Sequence, residues 1–186
     1  PRGLSPEGGL AGDPLRRELA RALAALGHEI HVVQEHPVRT RIADGPVSWH
    51  FVPPSPLARA VRAVLAPRPD AMVKAPAPHL IPPVAAIAPD LLHSFDLAFY
   101  PSLALLGRYA RAHGIPLVAH YHGGAPARLA ALRTVERYAL ARADRLLFTN
   151  RERGEDWVRS GALPDGLRIV EVPETSSTFT PGPAAR

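Results

Sequence analysis

The residue best placed to do chemistry in this chain is His122. It follows a short apolar run, 115–120 (IPLVAH), and precedes Gly123 and Gly124. An imidazole at the end of a strand can donate to a hydroxyl or a phosphate, or steady a polar transition state. A loop histidine that only bonds its own turn is the other reading, and the two glycines favour such a turn. Tyr121 adjoins it. A second group, Ser94, Phe95 and Asp96, follows His93 at the end of the run 91–94. It offers a hydroxyl, a ring and a carboxylate to a ligand. Equally, Phe95 can belong to the core and Asp96 can cap a helix that begins near residue 101. The third group is Gly8, Gly9 and Gly12, just ahead of a helical pattern. Exposed N–H groups at a helix start attract phosphate. Their spacing is not G-x-G-x-x-G, so a flexible tail is an equal reading.

The elements that must hold these groups follow from the hydrophobic pattern. Segments 115–120, 126–142 and 145–149 read as strand, helix and strand, with Leu129, Leu132, Val135, Leu140 and Ala143 on the inward face of the helix. That order implies a right-handed crossover and a parallel sheet. Ligands of such sheets sit beyond the carboxyl ends of the strands, where 121–124 fall. Upstream, Asp13 suits an N-cap and Pro14 the first helical position. Leu15, Leu19, Ala22, Leu23 and Leu26 form the inward face of that helix, and Gly27 ends it. Further strands are expected at 29–34, 47–52 (toward the sheet edge), 91–94 and 167–172. Further helices are expected at 57–65, 101–113 and 151–160. The proline-rich stretch 67–90 reads as an irregular connector with one helical turn near 84–88. Loop, helix and strand in that order at the start make the back half of a β-α-β unit whose front strand has no match. Glu136 and Arg137 could pair or touch an acceptor, but a solvated helix face is the commoner reading.

Bulk composition bounds the classes. A length of 186 residues suits one α/β domain, and 46% apolar residues are enough for a packed core. Lys plus Arg is 22 against 17 for Asp plus Glu, a net charge of +5. Almost all the cations are arginines scattered over helix faces, so nucleic acid is not an expected partner. No cysteine is present, which excludes disulfides and thiolate chemistry. No apolar run approaches the roughly 20 residues of a membrane span, and no signal peptide is visible, so a cytoplasmic protein is expected. His28, His31, His36 and His50 have no partners at metal-ligand spacing, and no metal site is expected. No nucleophile elbow appears.

Five segments in this order, RRELARALAALGHEIHVV, PDLLHSFD, IPLVAHYHGG, ERYALARADRLLFTN and RIVEVPETSSTFTPG, resemble the N-terminal domain of family 4 glycosyltransferases of the GT-B fold. The likeness spans roughly residues 8 to 182, and it is the ordered set that carries it. It implies a Rossmann-like three-layer domain with a mostly parallel sheet, one half of a GT-B architecture. Residues 1–180 would form that acceptor-side domain. Residues 181–186 would begin a linker to a C-terminal domain that binds the donor. The activity implied is retaining transfer of a sugar from a nucleotide-sugar co-substrate to an acceptor hydroxyl, with no metal or other cofactor. The resemblance places His122 near the transferred sugar, as the catalytic candidate. It places Gly8, Gly9, Gly12, Ser94, Phe95, Asp96, Tyr121 and Gly123 around donor phosphate and acceptor. The acceptor is a small molecule, a glycan or a lipid, which leaves room for peripheral membrane contact. The domain alone would be inactive and would dimerise through the face that its second domain covers. Three departures stand: the first strand of the fold has no match, the last strand leads into Glu174, Thr175 and Ser176 instead of an Asn-Gly-Val-Asp type turn, and the segment 53–90, variable in such families, names no acceptor.

Two other classes fit the same elements. One is a non-catalytic Rossmann-like module that binds a sugar, a nucleotide or a partner. The other is a nicotinamide oxidoreductase domain. It ranks last, because it lacks G-x-G-x-x-G and has only Glu35 as its acidic candidate.

Overall fold

The structure is a computed structural model, and it describes residue 5 and residues 14–65, 76–95, 100–123, 130–163, 166 and 169–172. Gly8, Gly9, Gly12, Asp13, Asp96, Gly124 and the segment 181–186 lie outside the described residues.

The larger part is a four-stranded, all-parallel sheet in the order β4-β5-β6-β7, with β4 at Leu92–Ser94, β5 at Leu117–His120, β6 at Arg145–Phe148 and β7 at Ile169–Glu171. Helices α4 (Tyr100–His113), α5 (Ala130–Leu140) and α6 (Arg151–Arg159) make the crossovers. This is the Rossmann-like α/β arrangement that strand-helix alternation dictates. Leu117 and Ala119 of β5 and Leu146 and Phe148 of β6 are fully buried. They share one core with Leu103 and Ala110 of α4, Ala139 and Leu140 of α5, and Trp157 of α6. Helix α4 comes close to the chain just past α5 at Gly107, where an added Cβ would lie 2.5 Å from the Cβ of Arg142. Asp144 ties the start of β6 to β5 twice: its Oδ2 accepts from Leu117 N at 2.8 Å, and its N donates to Leu117 O at 2.8 Å. Asn150 caps α6 by accepting from Arg153 N at 2.9 Å.

The smaller part is a three-stranded sheet in the order β1-β3-β2, with β1 at Ile30–Glu35, β2 at Thr40–Asp44 and β3 at Val47–Val52. Strands β1 and β3 are parallel, and β2 is antiparallel to β3. Val47, Trp49 and Phe51 alternate inward along β3, and α1 (Pro14–Ala25) lies on them through Ala20 and Ala24. Helix α2 (Pro56–Leu65) starts at Ser55, whose Oγ accepts from Ala58 N at 3.1 Å. A 3-10 turn at Pro78–Leu80 leads into α3 (Ile81–Ile87). His79 Nε2 meets Glu35 Oε2 at 2.9 Å, and Val33 of β1 packs on the larger core, so the two parts are joined through β1.

Several sequence-based expectations need correction. Among the described residues the strands fall into two sheets, with β1 and β4 each at a sheet edge. The strand that a β-α-β unit requires ahead of α1 has no counterpart among the described residues, so none hydrogen-bonds to both β1 and β4. The run 47–52 is not an edge strand but the centre of its sheet. Its outer neighbour β2 was missed, although Asp44 and Gly45, with Gly45 at φ +60°, mark the hairpin turn. The inward face of α1 is rotated: Ala20 is buried, whereas Ala22 and Leu26 are exposed, because Arg17 and Arg21 turn toward Asp44 on the small sheet. In α5 the polarity of one pair is inverted: Val135 is exposed and Glu136 is 1% exposed, so Glu136 is not on a solvated face. Helix α3 extends the single expected turn at 84–88 into 81–87, with prolines tolerated in its first turn.

Candidate active site

Strand alternation builds the site. In a strand, side chains at i and i+2 share a face. His93 and Phe95 therefore leave β4 on one face, and His120 and His122 leave β5 on one face. The parallel register sets His93 beside Val118 and Ser94 beside Ala119. The four rings meet. Phe95 stacks on His122 with centroids 3.9 Å apart and planes at 23°. His122 packs on His120 at 4.1 Å, His120 stacks on His93 at 5.4 Å, and Phe95 meets His120 edge-on at 5.8 Å. From α1, the Arg16 guanidinium lies 4.8 Å from the Phe95 centroid, and its Nη1 donates to Gln34 Oε1 of β1 at 3.1 Å. One residue from each of α1 and β1 thus joins β4 and β5 at the carboxyl ends of the strands. The Arg16–Phe95 contact alone contributes on the order of 1 kcal/mol.

The electrostatics are those of neutral imidazoles beside a permanent cation. Burial pushes His93 down to about 4, and the neighbouring His120 adds to this. His120 is likewise pushed down to about 4 by burial, with His122 adding to it. Both rings are neutral at pH 7, and a neutral imidazole can donate with one nitrogen and accept with the other. His93 Nε2 is buried with no hydrogen-bond partner among the described residues. No group of three potential metal ligands occurs among the described residues. The arrangement suits hydrogen bonding to a neutral or anionic ligand and lacks, among these residues, a carboxylate for proton abstraction.

Of the sequence candidates, His122 and Phe95 are in direct contact. Ser94 ends β4 beside them. Gly123 follows with φ +130°, a conformation that a side chain would strain. Tyr121 is 5% exposed, and its ring stacks on Phe148 at 5.0 Å and meets Trp157 edge-on, inside the core. His120, Arg16 and Gln34 were not read from the sequence as site residues. The H-x-F and H-x-H pattern on adjacent strands would have revealed His120. Arg16 and Gln34 join the site through tertiary contact alone. Two open surface depressions lie elsewhere, where β5 begins, around Asp90, Tyr109, Gly114 and Ile115 and around Arg111, Ala141 and Asp144.

A Rossmann-like parallel sheet with its polar cluster at the carboxyl ends of the strands defines a ligand-binding α/β domain. The chain belongs to the glycosyl transferase 4-like domain family, whose model matches residues 15–173. It is a glycosyltransferase domain of the N-terminal type. No curated protein matches it. No helix among the described residues is long and apolar enough to cross a membrane.

Proposed function

We propose that the domain forms the acceptor side of a retaining, nucleotide-sugar-dependent glycosyltransferase of the GT-B kind. The observation that carries this reading is the convergence of His122 with His120, His93, Phe95 and Arg16 at the ligand edge of a chain of this family. His122 is the residue assigned to the transferred sugar or its phosphate. As a hydrogen-bonding group in a largely desolvated site, it would stabilise charge that develops as the acceptor hydroxyl attacks. Ser94, Asp96, Gly123 and the loop 8–12 are assigned to the surrounding contacts. A second domain would hold the base and phosphates of the donor, and no metal is invoked. Catalysis would then rest on holding donor and acceptor in attack geometry, worth on the order of 7–11 kcal/mol.

The test is transfer assayed with UDP-, GDP- and ADP-sugars, using the 186-residue chain and a longer polypeptide that includes the donor half. The expected result is transfer by the longer protein only. In that protein His122→Ala should lower turnover about 100-fold with little change in thermal stability. Robust transfer by the 186 residues alone would overturn the division of labour. Unchanged turnover in His122→Ala would overturn the role of that histidine.

A further inference from the structure

The four contacting rings are not equivalent in what they can offer. Phe95 has no hydrogen-bonding group, yet it makes the closest ring contact of the cluster, 3.9 Å between centroids at an interplanar angle of 23°. That contact covers one face of the His122 imidazole. His120, 4.1 Å away and tilted by 50°, packs against the same ring. Phe95 lies over one face of the imidazole and His120 beside its edge, so two rings together hold its plane, and both His122 nitrogens are buried. Phe95 is itself held from outside β4, by the Arg16 guanidinium 4.8 Å from its centroid, and Arg16 is tied to Gln34. The order Gln34, Arg16, Phe95, His122 therefore runs from β1 through α1 and β4 to β5.

We propose that Phe95 is a positioning residue for His122: its stacked ring fixes the plane of the imidazole and, with it, the direction in which the ring nitrogens point. Arg16 backs Phe95 in the same task. This assigns Phe95 a role through the histidine, in place of direct contact with a sugar. It rests on the reading of His122 as the residue that meets the substrate. The geometric claim can be tested on the ring itself, separately from transfer.

The experiment is side-chain NMR of the 186-residue chain labelled with ¹³C and ¹⁵N, with the His122 signals assigned by loss in His122→Gln. In the unsubstituted chain the His122 ring protons should be displaced upfield by the Phe95 ring current, relative to exposed His28, and one tautomer should predominate. Phe95→Leu should abolish the displacement and shift the tautomer ratio toward that of free histidine, while the His31 and His50 signals stay in place. Phe95→Tyr should restore both, and Arg16→Met should reduce the displacement. An undisplaced His122 ring in the unsubstituted chain overturns the proposal, whatever Phe95→Leu does to folding. So does a Phe95→Leu variant that folds and leaves the His122 ring signals unchanged. In the longer protein, with transfer as the readout, Phe95→Leu should lower kcat with KM nearly unchanged, and Phe95→Tyr should recover it. Failure of His122→Ala to affect transfer would remove the functional meaning of the stack while leaving its NMR signature intact, so the two readings fail separately.

Discussion

Both halves of the molecule carry groups of histidines, and the two groups are held in different ways. On the small sheet, His31 Nδ1 meets His50 Nε2 at 3.0 Å, and His31 Nε2 meets Glu29 Oε1 at 2.8 Å. His36 Nδ1 accepts from Val38 N at 3.1 Å. Hydrogen bonds hold these rings, at the half-buried His31 and His50 and at the buried His36. On the large sheet, His93, His120 and His122 are fixed by ring-on-ring packing at the carboxyl ends of β4 and β5. Two of them are pushed to about 4 by burial. Burying an imidazole without charge, next to other imidazoles and an arginine, does not serve folding in an obvious way. The contrast supports the reading of the second group as the one that meets a ligand.

The cores beneath the two groups differ as well, and replacing a tryptophan in each tests that difference most strongly. Trp157 is buried against Phe148 and Tyr121, directly under the strand that carries His122. Trp157→Ala should destabilise the fold by about 3–5 kcal/mol. Trp49 is equally buried, but its Nε1 has no hydrogen-bond partner among the described residues. Removing it also removes a buried donor that costs about 1–3 kcal/mol. Trp49→Ala should therefore destabilise less than Trp157→Ala by roughly that margin, as read from urea unfolding. Equal losses would mean that the small core packs as firmly as the large one.

Acid titration should separate the buried histidines of the large sheet from Asp44 of the small one. For His93 and His120 the folded values of about 4 lie below the unfolded value of 6.5. The unfolded chain then binds protons that the native rings refuse, so stability falls as pH drops from about 6.5 to about 4. For His93 the slope approaches 1.4 kcal/mol per pH unit, as an order of magnitude. His93→Gln should reduce the fall by roughly half, because His120 keeps its share, and His31→Gln should leave it. A flat stability profile across this window would contradict the burial of the cluster.

Asp44 belongs to the small sheet and acts lower. Its carboxylate accepts from Arg17 Nε at 2.7 Å and Nη2 at 2.9 Å, and also from Arg21. The Arg17 hydrogen bond, aided by Arg21, holds it down at about 2, below its ordinary 3.8. The stability it contributes is complete above its unfolded value and is lost as pH falls from about 3.8 to about 2. Because both arginines are partly exposed, the amount is on the order of 1 kcal/mol and shrinks with salt. Asp44→Asn should remove that step at any pH while leaving the histidine window untouched.

What the sequence made legible follows the same division. Strands β4, β5 and β6 and their crossovers stood out because buried parallel strands are short apolar runs that few other residues imitate. His122 and Phe95 were found because they end such runs. Glu136 was misread because a carboxylate in a helical pattern looks solvated until packing buries it, and Val135 was misread as its counterpart. Strand β2 was missed because TRIAD carries two charges that pair across the sheet and onto α1. Arg16 and Gln34 are 18 positions apart in sequence, and Arg16 reaches Phe95 only through the fold, so no local pattern points to them.

The smallest expected effect is the one that would most directly upset the comparison. His50 is held below its ordinary value by burial first, then by His31 and Arg41, but it remains half-buried beside exposed Glu29 and Arg41. Its bond to His31 joins two imidazoles within reach of water, and water can replace either partner. Such a bond contributes less than about 1 kcal/mol net. His50→Ala should therefore change unfolding stability by less than that amount, and transfer by the longer protein should be unaffected. The measurement pairs urea midpoints with initial transfer rates for His50→Ala and His122→Ala. If His50→Ala lowered transfer as far as His122→Ala at equal stability, the surface pair would be part of the site. The distinction between hydrogen-bonded and ring-packed histidines would then fail.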